Sequence, residues 1–154
     1  MKICRFSLKD SGEISKLIKE TIKRTNYKDL TKEQLKAWLQ HYTKKEVNKL
    51  IGKVDFFILK KDSKILGVIF FQKNFIKGLY VNANCLGKGY GKTLLEFAEM
   101  KISKLGYNKA ILNSSKTAFN FYKKQNYKFI RMAYSKLFGV NFQEYRMEKK
   151  LSLK

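Results

Sequence analysis

The chain has 154 residues, of which 44% are hydrophobic and 14% aromatic, enough to bury one core and too apolar for a disordered tail. No glycine–proline repeat suggests a collagen-like fibre, and no run of eighteen apolar residues suggests a membrane span. The opening residues lack the apolar stretch of a secretory signal, so a cytoplasmic location is expected. Cys4, Cys85 and His41 are too few for a disulfide framework or a metal cluster, and no metal is expected.

The net charge of +22, from 34 Lys and Arg against 12 Asp and Glu, would attract polyanions. Nucleic-acid readers, however, favour arginine, and the arginines here are only Arg5, Arg24, Arg131 and Arg146. The lysines are spread along the whole chain, isoleucine, asparagine and tyrosine are plentiful, and proline is absent. Most of the charge therefore reads as compositional bias of the kind an AT-rich genome imposes. A non-specific attraction for polyanions remains.

The pattern predicts a short edge strand over Met1–Phe6. Asp10 and Glu13 read as a helix start ahead of Ile14, Leu17, Ile18 and Ile22 at helical spacing. Thr31 with Gln34 and Thr43 with Glu46 form two further capping boxes. Val54–Leu59 and Ile65–Phe71 read as a hairpin, and Phe75–Val81 as the next strand. A glycine-rich loop follows, then a helix carrying Leu94, Leu95, Ala98, Ile102 and Leu105, closed by Gly106. Ala110–Leu112 is a short buried strand, Thr117–Lys124 a short helix, and the last strands lie near Tyr127–Ala133 and Phe142–Lys149. No linker divides the chain, so residues 1–154 read as one α/β layered domain.

Gly87, Gly89 and Gly91 stand at alternate positions between the strand ending at Val81 and the following helix. Glycines there let backbone approach a ligand, and the helix start offers unpaired N–H groups to phosphate. Alone, the pattern also suits a plain tight turn, and it matches neither the dinucleotide-binding nor the P-loop spacing. A second segment, Asn113-Ser-Ser-Lys-Thr-Ala-Phe-Asn-Phe-Tyr-Lys-Lys-Gln-Asn-Tyr127, adds Ala118, Phe121 and Tyr122 at fixed spacing. Together, Leu86-Gly-Lys-Gly-Tyr-Gly91 and Ala118-x-x-Phe-Tyr122 with Tyr127 resemble the GNAT superfamily of acetyl-CoA-dependent N-acetyltransferases. Asn26-Tyr27, Gln34-Leu35, Trp38 and the final Tyr-Arg-Met-Glu-Lys149 extend the likeness over nearly the whole chain. Three positions depart from the pattern. Leu86 replaces Gln or Arg, Asn126 replaces a glycine, and Phe75 stands where many relatives carry a glutamate.

The resemblance implies a mixed, largely antiparallel sheet of about seven strands with helices on both faces and a splay between the fourth and fifth strands. It implies acetyl-CoA as co-substrate, held by Tyr80, Val81, Leu86, Gly87, Lys88, Gly89, Tyr90, Gly91, Lys92 and Asn113. A primary amine, on a small molecule or a peptide, would attack the thioester directly. Tyr122 would protonate the leaving thiolate, its pKa lowered by the positive field of the domain; on its own it would read as a core aromatic. The base is open among relayed water, Glu144 and Tyr80. Cys85 reads as a packing residue rather than a nucleophile, His41 as a residue of the Trp38–Tyr42 helix rather than a substrate contact, and Trp38, Tyr42 and Tyr27 as core before substrate cage. A homodimer is an open alternative to a monomer. The competing function is a basic nucleic-acid-binding module with a vestigial cofactor site, or an acetyltransferase for an RNA-borne amine.

Overall fold

A computed structural model describes residues 1–152. Its elements run β1 (Lys2–Arg5), α1 (Ser11–Thr21), α2 (Lys32–His41), α3 (Lys44–Asn48), β2 (Asp55–Lys61), β3 (Lys64–Gln72), β4 (Phe75–Val81), α4 (Tyr90–Lys104), β5 (Lys109–Ser114), α5 (Phe119–Lys124), β6 (Lys128–Leu137) and β7 (Val140–Lys150). The strands form one seven-stranded sheet in the order β1-β2-β3-β4-β5-β7-β6. Only β4 and β5 pair in parallel, so the sheet is mixed and largely antiparallel, as expected.

Strands β2 and β3 are buried on both faces, which is why they read as nearly continuous apolar runs. Phe56, Ile58, Val68 and Phe70 face α1, Tyr42 and Val47, while Phe57, Leu59, Ile69 and Phe71 face α4 and α5. An extra residue, Leu66, interrupts the β2–β3 register and turns Ile65 to the first face and itself to the second.

The helix starts depend on side chains. Thr31 accepts from Gln34 N, and the Gln34 side chain returns the bond to Thr31 N, a complete capping box. The predicted Asp10–Glu13 box does not form. Asp10 instead caps one turn earlier, accepting from Ser7 N and Ser7 Oγ, and pairs with Lys60 at 2.8 Å. Burial opposes its ionisation, but the bonds from Lys60 and Ser7 prevail and hold its carboxyl below the usual range. Glu13 accepts from Ile65 N, tying α1 to the β2–β3 hairpin.

The last hairpin is longer than predicted, because Phe138 and Gly139 both adopt left-handed backbone (φ 50° and 78°) and join the strands in two residues. Phenylalanine is no turn signal, so the sequence concealed that turn. Asn126, standing where relatives carry glycine, takes φ 69° after α5.

Gly78 has a packing role. The Phe70 ring lies against its backbone, and an added Cβ would fall 2.2 Å from Phe70 Cζ. Gly78→Ala is expected to lower stability by about 1–3 kcal/mol through forced repacking. Urea unfolding should move the midpoint while the slope stays unchanged.

Candidate active site

Strands β4 and β5 pair only at Phe75–Ile111 and Ile76–Leu112. Directly after, the register between β3 and β4 shifts at Lys77, an extra residue on β4. A bulge bends its strand, and here β4 turns away from β5 at that point. The splay predicted between the fourth and fifth strands follows from this one residue.

The bulge also decides which backbone groups stay free. Asn82 N donates to Leu66 O (2.8 Å), so Val81–Gly67 and Leu79–Ile69 are the non-hydrogen-bonded pairs of the β3–β4 ladder. Leu79 and Val81 therefore turn their N–H and C=O groups toward the splay, where β5 has withdrawn. Thr21 Oγ1 donates to Val81 O at 2.8 Å, which leaves the Val81 N–H and both groups of Leu79. Tyr80, named from the resemblance, gives its backbone to Val68 on β3 instead. Leu79 was not foreseen, since only the ladder phase reveals it.

A cleft of about 1060 Å³ fills the splay, lined by Val81, Leu86, Gly87, Gly89, Tyr90, Gly91, Lys92 and Asn113 among others. Drug-sized ligands typically occupy about 300–1,000 Å³, so there is room for a cofactor arm and a second reactant. Gly87 (φ 78°) and Gly89 (φ 82°) have left-handed backbone, and nothing lies within 4 Å of where a Cβ would stand on either. Gly91 has a different task, bringing the first turn of α4 against Phe121, whose ring lies 3.3 Å from its notional Cβ. Thr93 N is the first in this turn to reach a helical carbonyl, Gly89 O at 3.0 Å, so the N–H groups of Tyr90–Lys92 are free for an anion. Lys92 lines the cleft, 3.8 Å from Glu96, whereas Lys88 is not among the lining residues. Asn113 lines it too, but its Oδ1 accepts from Arg146 Nε at 2.6 Å. The Arg146 guanidinium lies over the ring of Phe75, 5.2 Å from its centroid.

Tyr122 stands on α5, 7% exposed, edge-on to Phe121 and Tyr127. It lines the cleft, and among the described residues its hydroxyl has no partner. The expected lowering of its pKa does not occur. Burial pushes the phenol well above its ordinary value, because desolvation at the site outweighs the field of solvent-exposed lysines.

Tyr80 is likewise removed as a base. Trp38 Nε1 donates to Tyr80 Oη at 3.1 Å, and Tyr80 Oη donates to Tyr42 Oη at 3.2 Å. Burial raises Tyr80 well above the usual phenol value and pushes Tyr42 up to about 12. Both remain neutral phenols. His41 lines the cleft, and burial lowers its pKa, disfavouring the imidazolium against the pull of Glu46. Cys85 packs against the α4-side core.

Glu144, on β7, lines the cleft half-buried and accepts from Ser135 Oγ at 2.9 Å. Burial raises its pKa, outweighing the Ser135 bond and the charge of Arg146. The native state thus keeps this proton to higher pH than the unfolded chain. The associated stability is present at low pH and is lost as pH rises through the native pKa. Glu144→Gln should therefore raise Tm at neutral pH and make no difference below the carboxylate range, as paired thermal melts would record.

The profile of the acetyltransferase (GNAT) domain family matches residues 26–149. The chain belongs to this family of acyltransferases. No match is found among curated proteins. Among solved structures, a GCN5-related N-acetyltransferase from Rhodopseudomonas palustris aligns with TM-score 0.91 and 18% identity, over 97% of this chain and 95% of that one. The PaiA N-acetyltransferase of Thermoplasma acidophilum, in complex with coenzyme A, aligns with TM-score 0.79 and 23% identity, over 97% and 98%. A ribosomal-protein-alanine N-acetyltransferase from Brucella melitensis aligns with TM-score 0.66 and 15% identity, over 98% and 100%. At these identities the likeness concerns the fold.

Proposed function

We propose that the chain moves an acetyl group from acetyl-CoA to a primary amine in the splay between β4 and β5. One observation carries the reading. The free backbone groups of Leu79 and Val81, the open turn at Gly87 and Gly89, and the unpartnered hydroxyl of Tyr122 all border the same cleft.

The residues suit the cofactor. A pantetheine arm contains amides that can pair with the free N–H and C=O groups of β4, as an added strand would. A pyrophosphate needs N–H donors at a helix start with no side chain in the way, and Gly87–Lys92 offer them. When bound, the cofactor supplies a thioester whose carbonyl carbon exchanges sulfur for the amine nitrogen. Glu144 accepts the proton that the amine loses, its raised pKa making it a better base than an exposed carboxylate. Tyr122 keeps its own proton throughout the physiological range, so its Oη donates toward the departing sulfur.

CoA and acetyl-CoA should each raise Tm as their concentration rises, by the ordinary linkage of binding to folding. Unchanged melting at millimolar CoA would overturn the reading.

A further inference from the structure

The elements that line the cleft differ in charge. Its lysines are Lys77 on β4, Lys92 on α4, Lys116 before α5 and Lys124 on α5. Another part of the lining is formed by α2, Tyr42 just after it and the β6–β7 hairpin. Those elements contribute no lysine or arginine to the lining, in a chain of net charge +22. They contribute aromatic walls and one carboxylate.

Trp38 and Phe142 meet edge to face, with ring centroids 6.3 Å apart, and Gln34 Nε2 donates to Asn141 O at 3.0 Å, fixing α2 to the hairpin. Phe142, Glu144 and Arg146 alternate along β7 and so share one face. Ser114–Tyr145 is the last pair between β5 and β7, so Glu144 lies one residue beyond the end of β5, where the sheet opens. Arg146 is committed to Asn113 and Phe75 and does not line the cleft. Asp29, the other carboxylate in the lining, is engaged by Thr117 Oγ1 at 2.8 Å and lies 4.0 Å from Lys116. Among the described residues, Ser135 alone hydrogen-bonds the Glu144 side chain.

A half-buried carboxylate two residues from Phe142 on one strand face, with no salt-bridge partner among the described residues, is complementary to an ammonium group on an apolar body. A carboxylate next to that ammonium would face Glu144, and the neighbouring cation on this strand face, Arg146, is already engaged by Asn113 and the Phe75 ring. Resting on the acetyltransferase reading above, we infer that the acceptor is a primary amine with no carboxylate beside its amino group, seated with its ammonium on Glu144. Aryl-alkyl amines and aliphatic diamines fit this description. The α-amino group of a free amino acid does not. The proton then passes from the ammonium nitrogen to a Glu144 carboxyl oxygen before the nitrogen attacks.

Matched pairs test this: tyramine against tyrosine, and pentylamine against norleucine. Two quantities are measured, the kcat/KM for thiol release from acetyl-CoA and the Tm shift each compound gives to the CoA-saturated protein. The expected result is at least a tenfold preference for the amine in kcat/KM and a Tm shift from the amines alone. Glu144→Gln should bring the ratio within each pair close to one, whatever happens to kcat. Equal use of both members, a preference for the amino acids, or a ratio unchanged in Glu144→Gln would overturn the inference while leaving the acetyltransferase reading intact. If no compound releases thiol, the Tm shifts decide, and shifts from neither or both members count against it. Failure of CoA itself to stabilise the protein would overturn the broader reading, and this inference with it.

Discussion

Replacing Tyr122 with phenylalanine is expected to lower kcat by about 10²–10³-fold, the range for removing one donor aimed at developing charge. The ring stays in place, edge-on to Phe121 and Tyr127, so folding should be unaffected. Affinity for CoA should change little, because the residues assigned to the cofactor arm and pyrophosphate lie on β4 and at the start of α4. A raised phenol pKa makes complete proton transfer to a thiolate unfavourable. On the function proposed above, Tyr122 would act mainly by hydrogen-bonding the sulfur as the carbon–sulfur bond breaks. Wild-type turnover in Tyr122→Phe, with chemistry limiting, would reduce this residue to packing.

Gly89→Val should abolish the CoA-dependent rise in Tm. Two physical effects act together. A β-branched residue at φ 82° is strained, at about 1–2 kcal/mol, and its side chain enters the open space over the turn. The strain lowers the starting Tm, whereas the steric block removes its response to CoA, so titration separates them. Gly91→Ala provides a contrast. There the methyl presses on Phe121 at 3.3 Å rather than on open space, so the cost should fall on stability before ligand response. A Gly89→Val protein stabilised by CoA as strongly as the wild type would show that the pyrophosphate does not lie on this turn.

Much of this architecture was legible because it is encoded locally. The capping box at Thr31 and Gln34, the apolar runs of β2 and β3, and the left-handed Asn126 each reflect a few neighbouring residues. The family likeness rested on two such local patterns, the glycine turn and the Ala118-x-x-Phe-Tyr122 helix. The features that shape the cleft are different in kind. The extra residue at Lys77 arises from how β4 registers against β3, and nothing in Phe75–Val81 announces it. The same register selects Leu79 rather than Tyr80 to present free backbone.

Electrostatics were the least legible. The sequence invited the view that a strongly positive chain lowers the pKa of Tyr122, but burial governs at this depth, and the lysines are exposed and screened. Tyr80 could serve as a base only until its hydroxyl was found between Trp38 and Tyr42, residues 42 and 38 positions away. Asp10 sits where a cap was expected, yet its partners are Ser7 and Lys60, the second on another element.

Acetyl transfer itself can be measured as a stoichiometry. The purified protein is incubated with acetyl-CoA and a panel of primary amines. Free CoA thiol and N-acetylated product are then quantified in the same sample. One thiol released for each N-acetyl group formed, above the rate without protein and strongly reduced in Tyr122→Phe, is the predicted result. Thiol release without N-acetylated product, or turnover of the same size in the phenylalanine variant, would contradict a splay in which Tyr122 assists the departure of sulfur from an acetyl group passing to nitrogen.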